Sequence, residues 1–335
     1  MNLTMNHVTI LGDGGWGTAL GLSLIRQGCQ VRIWGPLPDT IDRIQREHEN
    51  VLYLPGIRLP ETLLWTADRA QAVDQAELII LAIPSKYFGD VLKSFTNLIP
   101  ASCPVVSVSK GLDTTTHRRL TDVAAELLNV PTLAVLSGPS HAEEVARGVP
   151  TAVVLACKDS AAAQALQQAL MTPRFRIYTS DDVAGVELGG ALKNVIALAV
   201  GASDGLGFGD NTRAALITRG LSEITRLGCA LGARTDTFAG LSGMGDLIAT
   251  CTSRWSRNRA VGERLGRGES IDKIINSMQQ VAEGITTCGI ARTLAREYGI
   301  SVPITEEVYA LIHDGKNPQQ AVQALLGRNA RPERD

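Results

Sequence analysis

The sequence predicts an α/β N-terminal half, a parallel sheet with helices on both faces, followed by an all-α C-terminal domain. Short β-rich runs alternate with helical patterns up to about residue 180, which is the signature of strands joined by crossover helices. Those runs are largely continuous in apolar character, as expected of strands buried on both faces. Beyond Asp181 the texture changes to long helical patterns rich in Ala, Leu, Gly and Arg, with no convincing strand. At 335 residues the chain is long enough for two cores.

The first strand, residues 8–11, runs into glycine and then into a helical pattern over 18–27. Further strands are expected over 30–34, 78–83, 105–109, 133–136 and 151–156, with a helix over 141–147. Asp181 and Asp182 suit the N-terminus of a long helix, so the division is placed after residue 183: one domain over 1–183, a helical one over 184–330.

Composition narrows the function. Lys and Arg number 32 against 34 Asp and Glu, a net charge of -2, and no basic run is dense enough for a polyanion, so no nucleic-acid partner is expected. The six cysteines are scattered without a Cys-x-x-Cys pair, and none of the five histidines pairs with another at metal-ligand spacing. They predict reduced packing cysteines and no metal. The N-terminus lacks the progression of a signal peptide, and the apolar run around Lys193 reads as too short and too interrupted for a membrane span. A soluble cytoplasmic protein is the expectation.

The motif Gly12-Asp13-Gly14-Gly15-Trp16-Gly17 follows a strand and opens a helix, the context that gives G-x-G-x-x-G its meaning. Gly12 allows the tight turn, Gly14 lets a pyrophosphate approach the backbone, and Gly17 lets helix and strand pack closely, so the first half reads as a Rossmann-type dinucleotide-binding domain. The cofactor form stays open between NAD and NADP. Trp34-Gly35-Pro36 stands where an acidic residue or an arginine would decide it, with Asp39 soon after and Arg43 opening the next helix.

Lys193 is the only charge between Leu188 and Ser203. A helix there is apolar nearly all round, and a buried ammonium is costly unless paired or shifted in pKa. Its side chain would lean over Gly189 and Gly190, leaving room for a small molecule; the alternative is a lysine that snorkels to solvent. Ligands of an open α/β sheet lie beyond the carboxyl ends of the strands. Two such ends carry Lys110-Gly111 and Ser137-Gly138-Pro139-Ser140. The helical half offers a glycine-rich turn over 240–246 ending in Asp246, and Ser253-Arg254-Trp255-Ser256-Arg257-Asn258-Arg259 ahead of a helical pattern over 260–266. A hydroxyl, a guanidinium and an amide at a helix start suit a phosphate, and basic residues there oppose the helix dipole unless an anion joins them. The bland reading is a capped helix with a solvated first turn. Ser242 lacks the G-x-S-x-G frame of a nucleophilic serine.

Together with Val281-Ala282-Glu283-Gly284 and Pro303-Ile304-Thr305-Glu306-Glu307, these motifs resemble, in order and over essentially the whole chain, the bacterial-type NAD(P)-dependent glycerol-3-phosphate dehydrogenases. The resemblance implies reversible reduction of dihydroxyacetone phosphate to sn-glycerol 3-phosphate for glycerophospholipid synthesis, by a cytoplasmic homodimer. It implies Lys193 as catalytic acid/base, and Lys110, Gly138, Ser140, Asp246, Ser256, Arg257 and Asn258 as substrate contacts. For the dinucleotide it implies Gly15, Trp16, Lys110, Ala142, Arg257, Val281 and Glu283, beside Gly12, Gly14 and Gly17. Gly15 replaces a serine common in the family, and Pro36 stands where a histidine or arginine is common. Two rival readings are a β-hydroxyacid dehydrogenase acting on a carboxylated substrate, and an NAD(P)-sensing module without turnover.

Overall fold

The computed structural model describes residues 5–278, 280, 282–330, 332 and 333. Eight strands form one sheet: β1 (His7–Leu11), β2 (Gln30–Trp34), β3 (Leu63–Thr66), β4 (Leu78–Leu81), β5 (Val105–Ser107), β6 (Leu133–Ser137), β7 (Thr151–Ala156) and β8 (Phe175–Ser180). Their order is β3-β2-β1-β4-β5-β6-β7-β8, so the winding reverses between β1 and β4, where a doubly wound sheet opens its ligand crevice.

Two strands escaped the sequence reading, and both lie at sheet edges. In β8, Phe175 and Ile177 are buried while Arg176 and Tyr178 are exposed; in β3, Leu63 and Trp65 are buried while Leu64 is exposed. An edge strand that alternates does not match a template of continuous apolar runs. The sheet is also not wholly parallel, because β6 pairs antiparallel with β7. The only helix between them is Ala142–Ala146, five residues long. At about 1.5 Å per residue it cannot carry the chain back along a five-residue strand of roughly 16 Å. The chain therefore re-enters the sheet from the end it left.

The helical half is built around Val183–Gly205, a helix of 23 residues. Asp182 caps it, accepting from the Gly185 N–H at 2.9 Å. Its length and composition, with a mean hydropathy of 1.5, are sufficient to cross a membrane, which corrects the expectation that this run is too short. What distinguishes it is its surroundings: 89% of that apolar window is buried inside the protein. Helices Asp210–Ala230, Asp246–Thr252, Arg257–Gly266, Glu283–Glu297 and Pro303–His313 pack around it. Glu187 on the long helix reaches the sheet half, accepting from Thr121 N at 2.9 Å and Thr121 Oγ1 at 2.5 Å, and burial pushes its pKa up to about 7.

The contact that positions the site is the crossing of this helix with Arg257–Gly266. Gly201 and Gly205 face Gly262 and Gly266, four residues apart on each helix, and a Cβ at Gly262 would sit 2.1 Å from the Leu198 carbonyl oxygen. The two backbones touch, and the salt bridge from Arg259 to Asp204 at 2.7 Å closes the same crossing. Gly262→Ala therefore forces the helices apart and costs at least about 2 kcal/mol. Gly289, whose added Cβ would meet nothing nearer than 3.8 Å, tolerates the same change. Thermal melting of the two variants checks this: equal melting temperatures contradict the backbone contact.

Candidate active site

The sheet and the long helix meet at three charges. Lys110 lies just beyond the carboxyl end of β5, Lys193 is mid-helix in Val183–Gly205, and Asp246 opens the helix Asp246–Thr252. Asp246 Oδ1 accepts from Lys193 Nζ at 2.5 Å, and its Oδ2 accepts from Lys110 Nζ at 2.8 Å. Lys110 also donates to the Gly138 carbonyl at 3.0 Å and to Ser140 Oγ at 3.4 Å. Lys193 is 5% exposed and Asp246 2%. The lysine does not snorkel.

Thr250, one turn after Asp246, completes the group. Its Oγ1 accepts from Lys193 Nζ at 2.5 Å and donates to the Asp246 carbonyl at 2.6 Å. Two of the three ammonium N–H groups thus have protein partners, leaving one for a ligand. Burial pulls the Lys193 pKa down to about 8; Asp246 opposes that shift and Lys110 reinforces it. Burial also drives the Asp246 carboxyl upward, but Lys110 and Lys193 outweigh it and hold the group below its ordinary value.

The two glycines before Lys193 do not leave open space, contrary to expectation. A Cβ at Gly189 would lie 2.6 Å from the Ser242 carbonyl, and one at Gly190 2.4 Å from Ser137 Oγ. They admit the single π-helical turn Leu241–Gly245 and the end of β6. That packing delivers Asp246 to the amine.

The glycine loop fits a dinucleotide. Gly12 has φ +127°, a Cβ at Gly17 would strike the Gly12 carbonyl at 2.3 Å, and the space beside Gly14 is free. Helix Gly15–Arg26 starts three residues earlier than its periodicity indicates, with no side-chain cap and no acid in its first turn, so its leading N–H groups and positive dipole end are available to phosphate. Trp16 Nε1 is buried without a hydrogen-bond partner among the described residues. Ala142 opens the helix Ala142–Ala146, its Cβ 3.7 Å from where one on Gly15 would stand.

The basic cluster separates into different duties. Arg254 stacks on Trp255 at 4.8 Å and Arg259 is bridged to Asp204. Arg257 is exposed and makes no hydrogen bond or salt bridge to a described residue; desolvation lowers its pKa, while Glu283 and Glu143 raise it. The helix begins at Arg257 rather than at 260, which makes Ser256 its N-cap, accepting from Arg259 N at 3.2 Å. Asn258 donates to Asn194 Oδ1 at 3.0 Å and accepts from Gly284 N at 2.9 Å, so its amide knits three helices together beside Lys193. Glu283 accepts from Ser85 N at 3.1 Å and from Ser85 Oγ, linking the helical half to the loop after β4. Val281 lies outside the described residues.

Lys110, Gly138, Ser140, Lys193 and Asp246 are thus brought into one hydrogen-bonded group, with Asn258 attached through the neighbour of Lys193. Sequence reasoning missed Thr250 and Ser85. The first is four residues from Asp246 on the same helix face, and the second sits beyond a strand end at the reversal of the sheet, so both positions carried a signal.

This architecture has close counterparts. A family profile described as NAD-dependent glycerol-3-phosphate dehydrogenase N-terminus matches residues 7–163, and its C-terminal counterpart matches 182–323. The glycerol-3-phosphate dehydrogenase (NAD(P)+) of Geobacillus thermodenitrificans is 47% identical over 98% of this chain and 97% of its own length. That of Moorella thermoacetica is 48% identical over 96% of each. The crystal structure of glycerol-3-phosphate dehydrogenase from Coxiella burnetii superposes with a TM-score of 0.93 at 42% identity, covering 96% of this chain and 99% of that one. A two-part match in chain order, identity near one half across the full length, and the same fold have one reading: the chain belongs to the NAD-dependent glycerol-3-phosphate dehydrogenase family.

Proposed function

We propose that the chain reduces dihydroxyacetone phosphate to sn-glycerol 3-phosphate, reversibly, with NADH or NADPH, and so supplies glycerophospholipid synthesis. The observation that carries this reading is the Lys193–Asp246–Lys110 group at the strand ends, a buried ammonium poised near neutrality and held by one carboxylate. Family membership supports the substrate, and the resemblance supports a homodimer at work in the cytoplasm.

Residues 1–183 hold the dinucleotide through Gly12, Gly14, Gly15, Trp16, Gly17 and Ala142; residues 184–330 supply Lys193 and the substrate pocket. A bound nicotinamide supplies the hydride that reaches C2 of the ketone. Lys193, as ammonium, gives the ketone oxygen a proton through its one uncommitted N–H. Asp246 and Thr250 fix the direction of that N–H, and Lys110 adds positive charge beside the same oxygen or the phosphate. In the reverse direction neutral Lys193 takes the hydroxyl proton. Arg257 receives the phosphate from the helix start capped by Ser256, a remote handle whose binding energy positions the reacting carbon. Gly138, Ser140 and Asn258 shape the pocket around it, while Arg257 and Lys110 border both ligands and Glu283 the dinucleotide. Val281 is assigned to the dinucleotide by the resemblance alone.

Lys193→Ala lowers kcat by roughly 10²- to 10⁴-fold in steady-state kinetics, the ordinary worth of a general acid; near-normal turnover at saturating substrate sinks the assignment. The pH dependence has opposite signs in the two directions. Ketone reduction needs the ammonium and declines as pH rises through about 8, whereas alcohol oxidation needs the free amine and rises through the same value. Profiles of kcat/KM that bend together in both directions contradict this. Arg257→Ala raises KM for dihydroxyacetone phosphate by about tenfold or more and leaves unphosphorylated dihydroxyacetone unaffected. An unchanged KM points instead to a carboxylated substrate, and NAD(P)H that is never consumed points to a sensing module.

A further inference from the structure

Position 35 follows β2 directly and stands 18 residues after Gly17, the place from which an acidic side chain reaches the adenosine ribose in dinucleotide-binding sheets. Here it is glycine. A Cβ built there would lie 2.7 Å from both Cγ and Oδ2 of Asp13, and as close to Cδ1 of Ile41, the other side chain that bounds the space. The carboxylate of the phosphate loop therefore occupies the volume that a side chain from position 35 would fill.

That carboxylate is uncommitted. Apart from its own backbone N–H, no donor or cation among the described residues engages it, and burial pushes its pKa up against that one hydrogen bond. Its backbone is held in place: buried Asn50 donates from Nδ2 to the Asp13 carbonyl at 2.7 Å and to Thr18 Oγ1 at 2.9 Å. Arg43, the cation that the sequence offers to a 2′-phosphate, lies in the second turn of Pro38–Glu47 rather than opening that helix. Its Nε donates to both carboxylate oxygens of Glu47, at 3.0 and 3.1 Å.

We propose that Asp13 is the cofactor-specificity residue of this chain, accepting the ribose hydroxyls of NADH and repelling the 2′-phosphate of NADPH from the first turn of the sheet instead of from the end of β2. The inference rests on the dinucleotide-dependent reading above and deepens it by naming the cofactor form. Gly35 is the other half of the arrangement, because any side chain there would displace the carboxylate. Two negative charges in so small a volume are strongly unfavourable, so discrimination comes mainly from rejecting the phosphate.

Fluorescence titration of NADH and of NADPH onto the substrate-free protein tests this with wild type, Asp13→Asn, Asp13→Ala and the double variant Asp13→Ala/Gly35→Asp. Wild type binds NADH at least about tenfold more tightly than NADPH. Asp13→Asn and Asp13→Ala bring the two within about threefold, chiefly by improving NADPH. The double variant, which returns a carboxylate from the strand end, restores the preference for NADH. Equal binding of both forms by wild type, binding of neither, or a wild-type ratio in both single variants overturns the inference; the single variants decide it even where the double variant does not fold. Turnover of dihydroxyacetone phosphate measured alongside separates the two ideas. Protein that binds with the expected ratio yet stays inert upholds Asp13 and sinks the activity.

Discussion

Asp246 is 2% exposed and accepts from two ammonium groups, one carried by the sheet half and one by the helical half. Three ionised groups in a volume nearly closed to water are expensive to desolvate, and they hold together only while each keeps its partners. Removing one leaves an uncompensated buried charge. The group also carries a surplus of one positive charge. A site so charged suits an anion, and under the proposed reading that anion is a phosphorylated ketone.

The rest of the structure keeps that trio in register. Gly189 lets the turn before Asp246 press onto the long helix, and the facing glycines of the two crossed helices set Arg257 against the same scaffold. Two further carboxylates join the halves by a shared device. Glu187 accepts from Thr121 N at the start of Leu120–Leu127, and Glu283 accepts from Ser85 N at the start of the short turn Ser85–Tyr87. Each sets carboxylate oxygens against an N–H of a first turn, a donor that has no partner within its own turn. His141 adds a third link: its Nε2 lies 3.3 Å from the Ala249 carbonyl, which can only accept, so that nitrogen carries the proton. Ala249 lies between Asp246 and Thr250, and this bond therefore steadies both.

The sequence exposed what depends on local pattern. Strands buried on both faces, the glycine loop and the isolation of Lys193 within an apolar run were all readable from neighbouring residues. β3 and β8 were not, because edge strands expose one face and lose the continuous apolar signal. The early starts of the helices at Gly15 and Arg257 were hidden for a related reason: glycine and arginine contribute nothing to an apolar period. What fills the space beside Gly189 and Gly190 has no local signal, since Ser242 and Ser137 lie about 50 residues away in sequence. An amide at a helix start suits phosphate, which is what the sequence offers at Asn258; its further tie to Asn194 and Gly284 depends on three helices meeting and has no local signal. Thr250 is legible only through its spacing, four residues after Asp246 on one helix face, because a threonine inside a helix has no pattern of its own.

The central claim is that one carboxylate sets the protonation of Lys193. It is tested most directly by measuring the Lys193 pKa itself, from the ¹⁵N shift of its side-chain nitrogen against pH, in wild type and in Asp246→Asn. Wild type titrates at about 8. The variant loses the negative charge that opposes burial, leaving at most a hydrogen bond to a neutral amide oxygen, while Lys110 stays in place, so its Lys193 titrates below the wild-type value. An unchanged or raised pKa in Asp246→Asn contradicts the account.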